Sequence, residues 1–505
     1  MTLALIFSRT SSGIEAPLIT VEVHLSGGLA RFYMVGLPEA AVKESRDRVR
    51  SAIINSNFEF PARRITVNLA PADLPKHGGQ LDLPIALGIL AATKQIPQHK
   101  LSQYEFTGEL ALSGAIRKVQ GVLPMTLAAY KANRRLIVPF ANAEEAAVIS
   151  NADTLSANSL LEVCHYLWDK GELPSCVTQA QKISTHAAYD LADVRGQTQA
   201  KRAMLVAASG KHSLLMIGPP GTGKTMLASR LPTLLPEMDA AAALEVASIA
   251  SLSHGGFCPT TWKEIPFRAP HHSSSSIALA GGGRPPKPGE ISLAHQGILF
   301  LDELPEFDKK ALEALREPLE SGHITISRAA YQTKFPANFQ LIAAMNPCPC
   351  GYAGSLDDNC RCSPEQIKRY VGKISGPLLD RIDMHIDVPR VPAHLLSMQQ
   401  TSEITSAMLR ETVEKAQALQ YNRQGKCNAL LTVSELNKLA KIDDDAENIL
   451  MATINKLNLS ARVYHRVIKL ARTIADLDAR EMITMLDVSE ALQYRSFDRL
   501  KAKLL

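Results

Sequence analysis

The stretch Leu214-Leu-Met-Ile-Gly-Pro-Pro-Gly-Thr-Gly-Lys-Thr225 decides the reading of the chain. Four apolar residues run straight into a glycine-rich loop, and a helix-like segment follows. That is the context and the spacing of a phosphate-binding loop. Glycines at 218, 221 and 223 let the backbone curl so that its N–H groups face phosphate oxygens, and the helix N-terminus behind them adds partial positive charge. Gly218, Pro219, Pro220, Gly221, Thr222, Gly223, Lys224 and Thr225 are therefore expected to hold ATP. Lys224 should reach the β and γ phosphates and the Thr225 hydroxyl should ligate Mg2+.

The second half of such a site is Gly297-Ile-Leu-Phe-Leu-Asp302-Glu303. A buried strand that ends in two carboxylates suits one for the metal, Asp302, and one to polarise the attacking water, Glu303. A third apolar run, Leu341 to Ala344, ends near Asn346. Three short apolar runs with polar or glycine ends predict parallel strands whose C-terminal ends carry the chemistry.

At 505 residues the chain is too long for one core, and the usual domain size predicts about three units. Residues 1–170 alternate strand-like runs (Leu18 to Leu25, Arg64 to Leu69, Leu136 to Val138) with helical ones (Pro84 to Ala92, Leu123 to Ala132). Residues 171–188 are polar and aperiodic and read as a linker. Residues 189–390 hold the nucleotide motifs. Residues 391–505 are helical, with Val463, Val467, Leu470, Ile474 and Leu477 on one face.

A hydrophobic fraction of 46% and a charged fraction of 21% fit a globular protein rather than a disordered one. The net charge of +5 permits nucleic-acid binding without arguing for it. The N-terminus has no basic residue ahead of its apolar run, unlike a secretory signal. No run approaches the ~18 apolar residues of a membrane span, so a cytoplasmic protein without a membrane partner is expected. Of eight cysteines, four crowd into Cys348-Pro-Cys350 and Cys360-Arg-Cys362. Four thiolates suit tetrahedral Zn2+, although zinc knuckles more often place two residues between cysteines; buried free thiols are the alternative. His323-Ile-Thr-Ile-Ser-Arg328, followed by a return through Thr333-Lys-Phe, predicts a hairpin. His271 and His272, in a Gly/Ser-rich loop, read as structural or pore-lining rather than as metal ligands.

These motifs resemble the AAA+ superfamily, in the branch shared by magnesium-chelatase motors and MCM helicases. The resemblance implies an α/β fold with a P-loop parallel sheet and a C-terminal helical lid. It implies that Asn346 is sensor 1, that Arg381 in Leu378-Leu-Asp-Arg-Ile-Asp is an arginine finger serving the neighbouring subunit, and that Arg462 in Ser460-Ala-Arg is sensor 2. A finger acting in trans implies a ring, usually a hexamer. In related helicases the hairpin at 323–335 lines the central pore, which makes Arg328, and less strongly Lys334, the expected DNA contacts; a solvated edge hairpin is the alternative.

Residues 1–170 resemble the α+β proteolytic domain of Lon. Thr107-Gly-Glu109 and Leu112-Ser-Gly114 match a strand and turn, and Pro75-Lys-His-Gly78 aligns with the nucleophile loop. The serine would fall on Gln80 and the lysine on Leu123, neither of which can act, so a scaffold or binding module is expected. Together with Pro266-Phe-Arg-Ala-Pro-His-His272, the whole chain resembles the ComM/YifB family, often described as magnesium chelatase-like. That resemblance implies a hexameric helicase driving DNA branch migration during natural transformation, with single-stranded, duplex or branched DNA and recombination proteins as partners. A chelatase motor subunit, an ATP-dependent protease and an ATP-switched assembly scaffold are the rival readings. The Lon-like unit expected over residues 1–170 speaks against the first, and Gln80 with Leu123 against the second.

Overall fold

The computed structural model describes residues 3–36, 44–76, 78–177, 189–328, 331–354, 360–392, 404–457 and 460–495. The N-terminal unit is built on a seven-stranded mixed sheet. Its strands are β1 (Leu3–Arg9), β2 (Leu18–Ser26), β3 (Arg31–Val35), β4 (Arg64–Ala70), β5 (Tyr104–Phe106), β8 (Arg135–Pro139) and β9 (Thr154–Ala157), in the order β3-β4-β2-β1-β5-β8-β9. A small separate ribbon pairs β6 (Glu109–Leu110) with β7 (Ile116–Arg117). The β1-β2 and β2-β4 pairs are antiparallel and the rest of the sheet is parallel.

Strands β2 and β4 alternate buried apolar residues with more exposed polar ones, as a sheet with one covered face requires. Helix Asp82–Ala92 is apolar on every side and lies buried throughout, in the middle of this unit's core. Residues 171–177, expected to open a linker, still belong to this unit: Leu173 joins its core and the Cys176 N–H donates to Thr154 O at 2.9 Å. A polar stretch can dock through one apolar side chain and a backbone bond, which periodicity does not register. The remainder of the expected linker, 178–188, lies outside the described residues.

The central unit carries a five-stranded parallel sheet, built from β10 (Leu214–Ile217), β11 (Phe267–Arg268), β14 (Ile298–Leu301), β17 (Gln340–Met345) and β18 (Met384–Asp387) in the order β11-β14-β17-β10-β18. The three strands expected from sequence are the three adjacent central ones, and each is buried along its whole length. A ribbon pairs β12 (Gly281–Gly282) with β13 (Lys287–Pro288), and the expected hairpin pairs β15 (His323–Arg328) with β16 (Tyr331–Pro336).

The C-terminal helices are Ser406–Gln424, Val433–Leu439, Asp444–Leu457, Ala461–Leu477 and Met485–Gln493. Val463, Val467, Leu470 and Ile474 share one core with helix Thr198–Gly210 and with β10 and β18, and Leu477 packs at its margin. The helical unit is thus fastened to the central sheet. The N-terminal unit meets the central one through Leu123, Ala247 and Phe257, and through the Ser251 hydroxyl, which donates to the Glu145 carboxylate. Among the described residues no helix is long and apolar enough to cross a membrane.

Candidate nucleotide site

Register brings the motif ends together. Ile217 of β10 pairs with Met345 of β17, and Leu301 of β14 pairs with Ala343. The residues that follow, namely the loop from Gly218, Asp302-Glu303 and Asn346, therefore emerge along one edge of the sheet, the C-terminal edge where parallel sheets carry ligands. Within the loop Gly221 and Gly223 have φ of 76° and 87°, a conformation that side chains with a Cβ rarely adopt. This turns the backbone so that helix Lys224–Arg230 starts behind it.

Lys224 is 8% exposed, and its ammonium donates to Gly218 O at 2.8 Å, Pro219 O at 2.9 Å and Asn346 Oδ1 at 3.3 Å. Burial pulls its pKa down, against the opposing pull of Asp302 and Glu303. The Thr225 hydroxyl donates to Asp302 Oδ2 at 2.6 Å. Neighbouring corners of an octahedron with ~2.1 Å metal bonds lie about 3.0 Å apart, so these two hard oxygens need part only slightly to fit Mg2+.

Glu303 sits at φ 53°, a left-handed conformation costing a non-glycine residue about 1–2 kcal/mol. Its N–H donates to Asp302 Oδ1 at 2.9 Å, and its carboxylate lies 3.0 Å from His272 Nδ1. His272 thus touches the candidate catalytic carboxylate, a role the sequence reading missed. The signal was hidden because β11, which carries the His272 loop alongside β14, is only two residues long. Arg268, at the end of β11, forms a bidentate pair with Glu290 at 2.6 and 2.7 Å.

Arg381 and Arg462 are not beside their own loop. Met384 pairs with Leu214, so Arg381 precedes β18 at the N-terminal edge of the sheet, where its carbonyl accepts from the Ser213 hydroxyl at 3.2 Å. The run from Ser213 to Gly218 spans about 16 Å at 3.3 Å per residue. Arg381 is 6% exposed, donates to Pro377 O at 2.7 Å and pairs with Glu320. Arg462 lies 3.6 Å from the same Glu320 oxygen.

The four cysteines converge. All four sulfurs lie within 4.8 Å of one another, with Cys348 to Cys360 at 3.7 Å and Cys350 to Cys360 at 3.6 Å. A tetrahedron with 2.3 Å metal–sulfur bonds has edges of about 3.8 Å, so the cluster fits one such ion. Backbone N–H groups of Arg361 and Tyr352 pull the Cys350 thiol down to about 6. The cluster also touches the nucleotide loop, because Gly351 packs so closely on Pro220 that a Cβ there would lie 2.6 Å from the proline ring.

In the N-terminal unit, Gln80 Nε2 donates to Arg9 O and to Thr10 Oγ1, each at 3.4 Å, and lines a cavity of about 440 Å3 with Glu109, Lys118 and Lys287. Leu123 is fully buried at the contact with the central unit. His77 lies outside the described residues, as do the tip of the 323–336 hairpin and the Arg328 side chain. Lys334 is exposed on β16.

Residues 190–396 match the family model described as magnesium chelatase, subunit ChlI, and residues 403–495 match that of its C-terminal part. Residues 21–142 match a model described as subunit ChlI of Mg-chelatase. The chain is 52% identical to competence protein ComM of Haemophilus influenzae, over 100% of this chain and 99% of that one. The chain belongs to the ComM/YifB family. Within it, the chain is also 48% identical to protein YifB of Escherichia coli, over 99% of this chain and 98% of the relative. The magnesium-chelatase subunit ChlI of Chlamydomonas reinhardtii, by contrast, is 25% identical over 44% of this chain. Members of this magnesium-chelatase-like family are AAA+ ATPases, and the loop, metal pair and acidic pair described above are the parts that such an activity requires.

Proposed function

We propose that this ComM/YifB chain is the subunit of a hexameric cytoplasmic DNA motor, a branch-migration helicase acting in natural transformation and homologous recombination. The observation that carries this reading is the end-to-end likeness to a protein named for competence. Lys224 neutralises charge on the β and γ phosphates, Thr225 and Asp302 hold the Mg2+ that bridges them, and Glu303 with Asn346 orients the attacking water. Arg381, standing about 16 Å of strand away from its own loop, and Arg462, which meets it at Glu320, serve the site of a neighbour, which is why the motor works as a ring. Arg328 and Lys334 grip the phosphate track of DNA. The four cysteines hold one Zn2+ that stiffens the loop after sensor 1 against Pro220, and the first unit is a Lon-like scaffold whose Gln80 and Leu123 replace the dyad.

A chelatase motor subunit is the second reading, and it has support in the ChlI model matching residues 21–142. The first unit therefore does not separate the two readings by its presence. What favours the DNA motor is extent, since the ChlI relative covers 44% of this chain and ComM all of it. The test is ATP turnover of purified protein with no DNA and with single-stranded, duplex or branched DNA. A DNA motor is stimulated by at least one of them; turnover indifferent to all three would favour a chelatase-like motor or a scaffold.

A further inference from the structure

Glu320 receives two cations on one carboxylate. Its Oε1 accepts from Arg381 and lies 3.6 Å from Arg462 Nη2. Two guanidinium groups around a single carboxylate leave one positive charge in excess, an arrangement that suits an additional anion. The Arg381 guanidinium is buried, and its Nε has no hydrogen-bond partner among the described residues, so the group has donor capacity left over. A carboxylate and a phosphate oxygen present guanidinium with the same kind of acceptor. Glu320 is thus the acceptor with which a phosphate would have to compete for the two arginines.

The position of Glu320 in the chain adds a second connection. It lies on helix Arg316–Ser321, which runs through Gly322 directly into β15 of the hairpin. The two are tied together: Thr325 Oγ1 donates to Glu317 Oε1 at 2.9 Å, and Ser321 Oγ is within 3.1 Å of His323 O. The Glu320 helix and the base of the hairpin are therefore joined by side-chain bonds as well as by the chain itself.

We propose that Glu320 is a latch. It is a positioning residue that holds Arg381 and Arg462 as an unengaged pair, and it gives them up to the γ phosphate bound by the neighbouring subunit when the hairpin is displaced. The inference rests on the reading that these arginines act in trans and that the hairpin contacts DNA. No covalent step is involved; one acceptor replaces another.

The experiment compares wild type, Glu320→Gln, Arg381→Ala and the double variant in steady-state ATP turnover, with and without the DNA that stimulates wild type most. Glutamine keeps the shape and removes the competing charge. Glu320→Gln should raise kcat without DNA by about threefold to tenfold and bring the ratio of stimulated to basal rate towards one. The double variant should fall back to the rate of Arg381→Ala, because the gain passes through that arginine. A merely structural Glu320 would instead lower kcat together with the melting temperature, and that result overturns the latch. So does a basal rate equal to wild type, or a double variant that keeps the gain. If wild type proves indifferent to DNA, the DNA reading falls, while the DNA-free comparison of wild type with Glu320→Gln still decides for or against the latch.

Discussion

The Thr225 hydroxyl donates to Asp302 Oδ2 at 2.6 Å, joining the phosphate loop after β10 to the end of the acidic strand β14, across the intervening β17. Lys224 makes a second link on the same side, to Asn346 at the end of the intervening β17, at 3.3 Å. Three adjacent strand ends are thereby coupled through polar side chains before any substrate is considered. The coupling separates two kinds of damage. Lys224→Ala removes charge from the phosphates and should abolish nucleotide binding in a fluorescent-nucleotide titration. Glu303→Gln leaves those contacts in place and should bind ATP normally while slowing turnover by about a hundredfold or more. Wild-type turnover by Glu303→Gln would remove Glu303 from the catalytic role.

Arg381→Ala should fold, bind ATP and hydrolyse it poorly, because the missing charge belongs to a neighbour's transition state. Mixing it with Lys224→Ala subunits should restore part of the activity, since some interfaces then combine an intact loop with an intact arginine. The measurement is turnover across a mixing series, in rings verified to contain both subunits. A series that never rises above the two parents would contradict a shared site.

Much of the nucleotide site was legible because its chemistry is local. Strands β10, β14 and β17 are continuous apolar runs buried on both faces, and the phosphate loop follows a fixed spacing. Strand β18 was not legible, since Met384-His-Ile-Asp387 carries a histidine that burial makes look misplaced in sequence; His385 is fully buried there and its pKa is pushed well down by burial and by Arg495. Strand β11 was too short to register. The His272–Glu303 contact and the meeting of Arg381 and Arg462 at Glu320 join residues far apart in sequence. No periodicity reports such contacts; they follow from strand order and from how the helices pack on the sheet. The linker boundary was read too early for a different reason, because an otherwise polar stretch docks through Leu173 and through backbone bonds to β9.

Protein purified without chelator should carry about one zinc per subunit. The four sulfurs already stand near tetrahedral spacing, and Cys350 is poised as a thiolate. Because Gly351 bears on Pro220, replacing Cys348 with serine should lower zinc content and raise the KM for ATP together. Elemental analysis alongside turnover checks both. A zinc content near zero in active protein would leave the cysteines as a cluster of free thiols.

Asp476 should prove critical to the C-terminal unit. It accepts from Arg423 at 2.7 and 2.8 Å, from Asn428 at 2.8 Å and from Arg472 at 3.2 Å, and Arg472 is 1% exposed. Asp476→Ala leaves that buried guanidinium without its counter-charge, at a cost of about 3–5 kcal/mol. Denaturant unfolding of the full chain should show the loss. An unchanged midpoint would mean that water or the nearby carbonyls compensate Arg472.

The central claim is ATP-driven movement on DNA, and the measurement that reaches it most directly is migration of a branched DNA substrate. Wild type with ATP should move the branch point, while wild type with ADP and Glu303→Gln with ATP should not. Arg328→Ala should bind DNA more weakly to a similar degree across sequences, with a salt dependence shallower by about one ion, because a phosphate contact carries no base information; it should also fail to migrate the branch. If Arg328→Ala migrates branches normally, the grip lies elsewhere, with Lys334 next in line because Arg268 is already paired to Glu290. If wild type hydrolyses ATP and moves no branched substrate at all, the account of this chain as a DNA motor is contradicted.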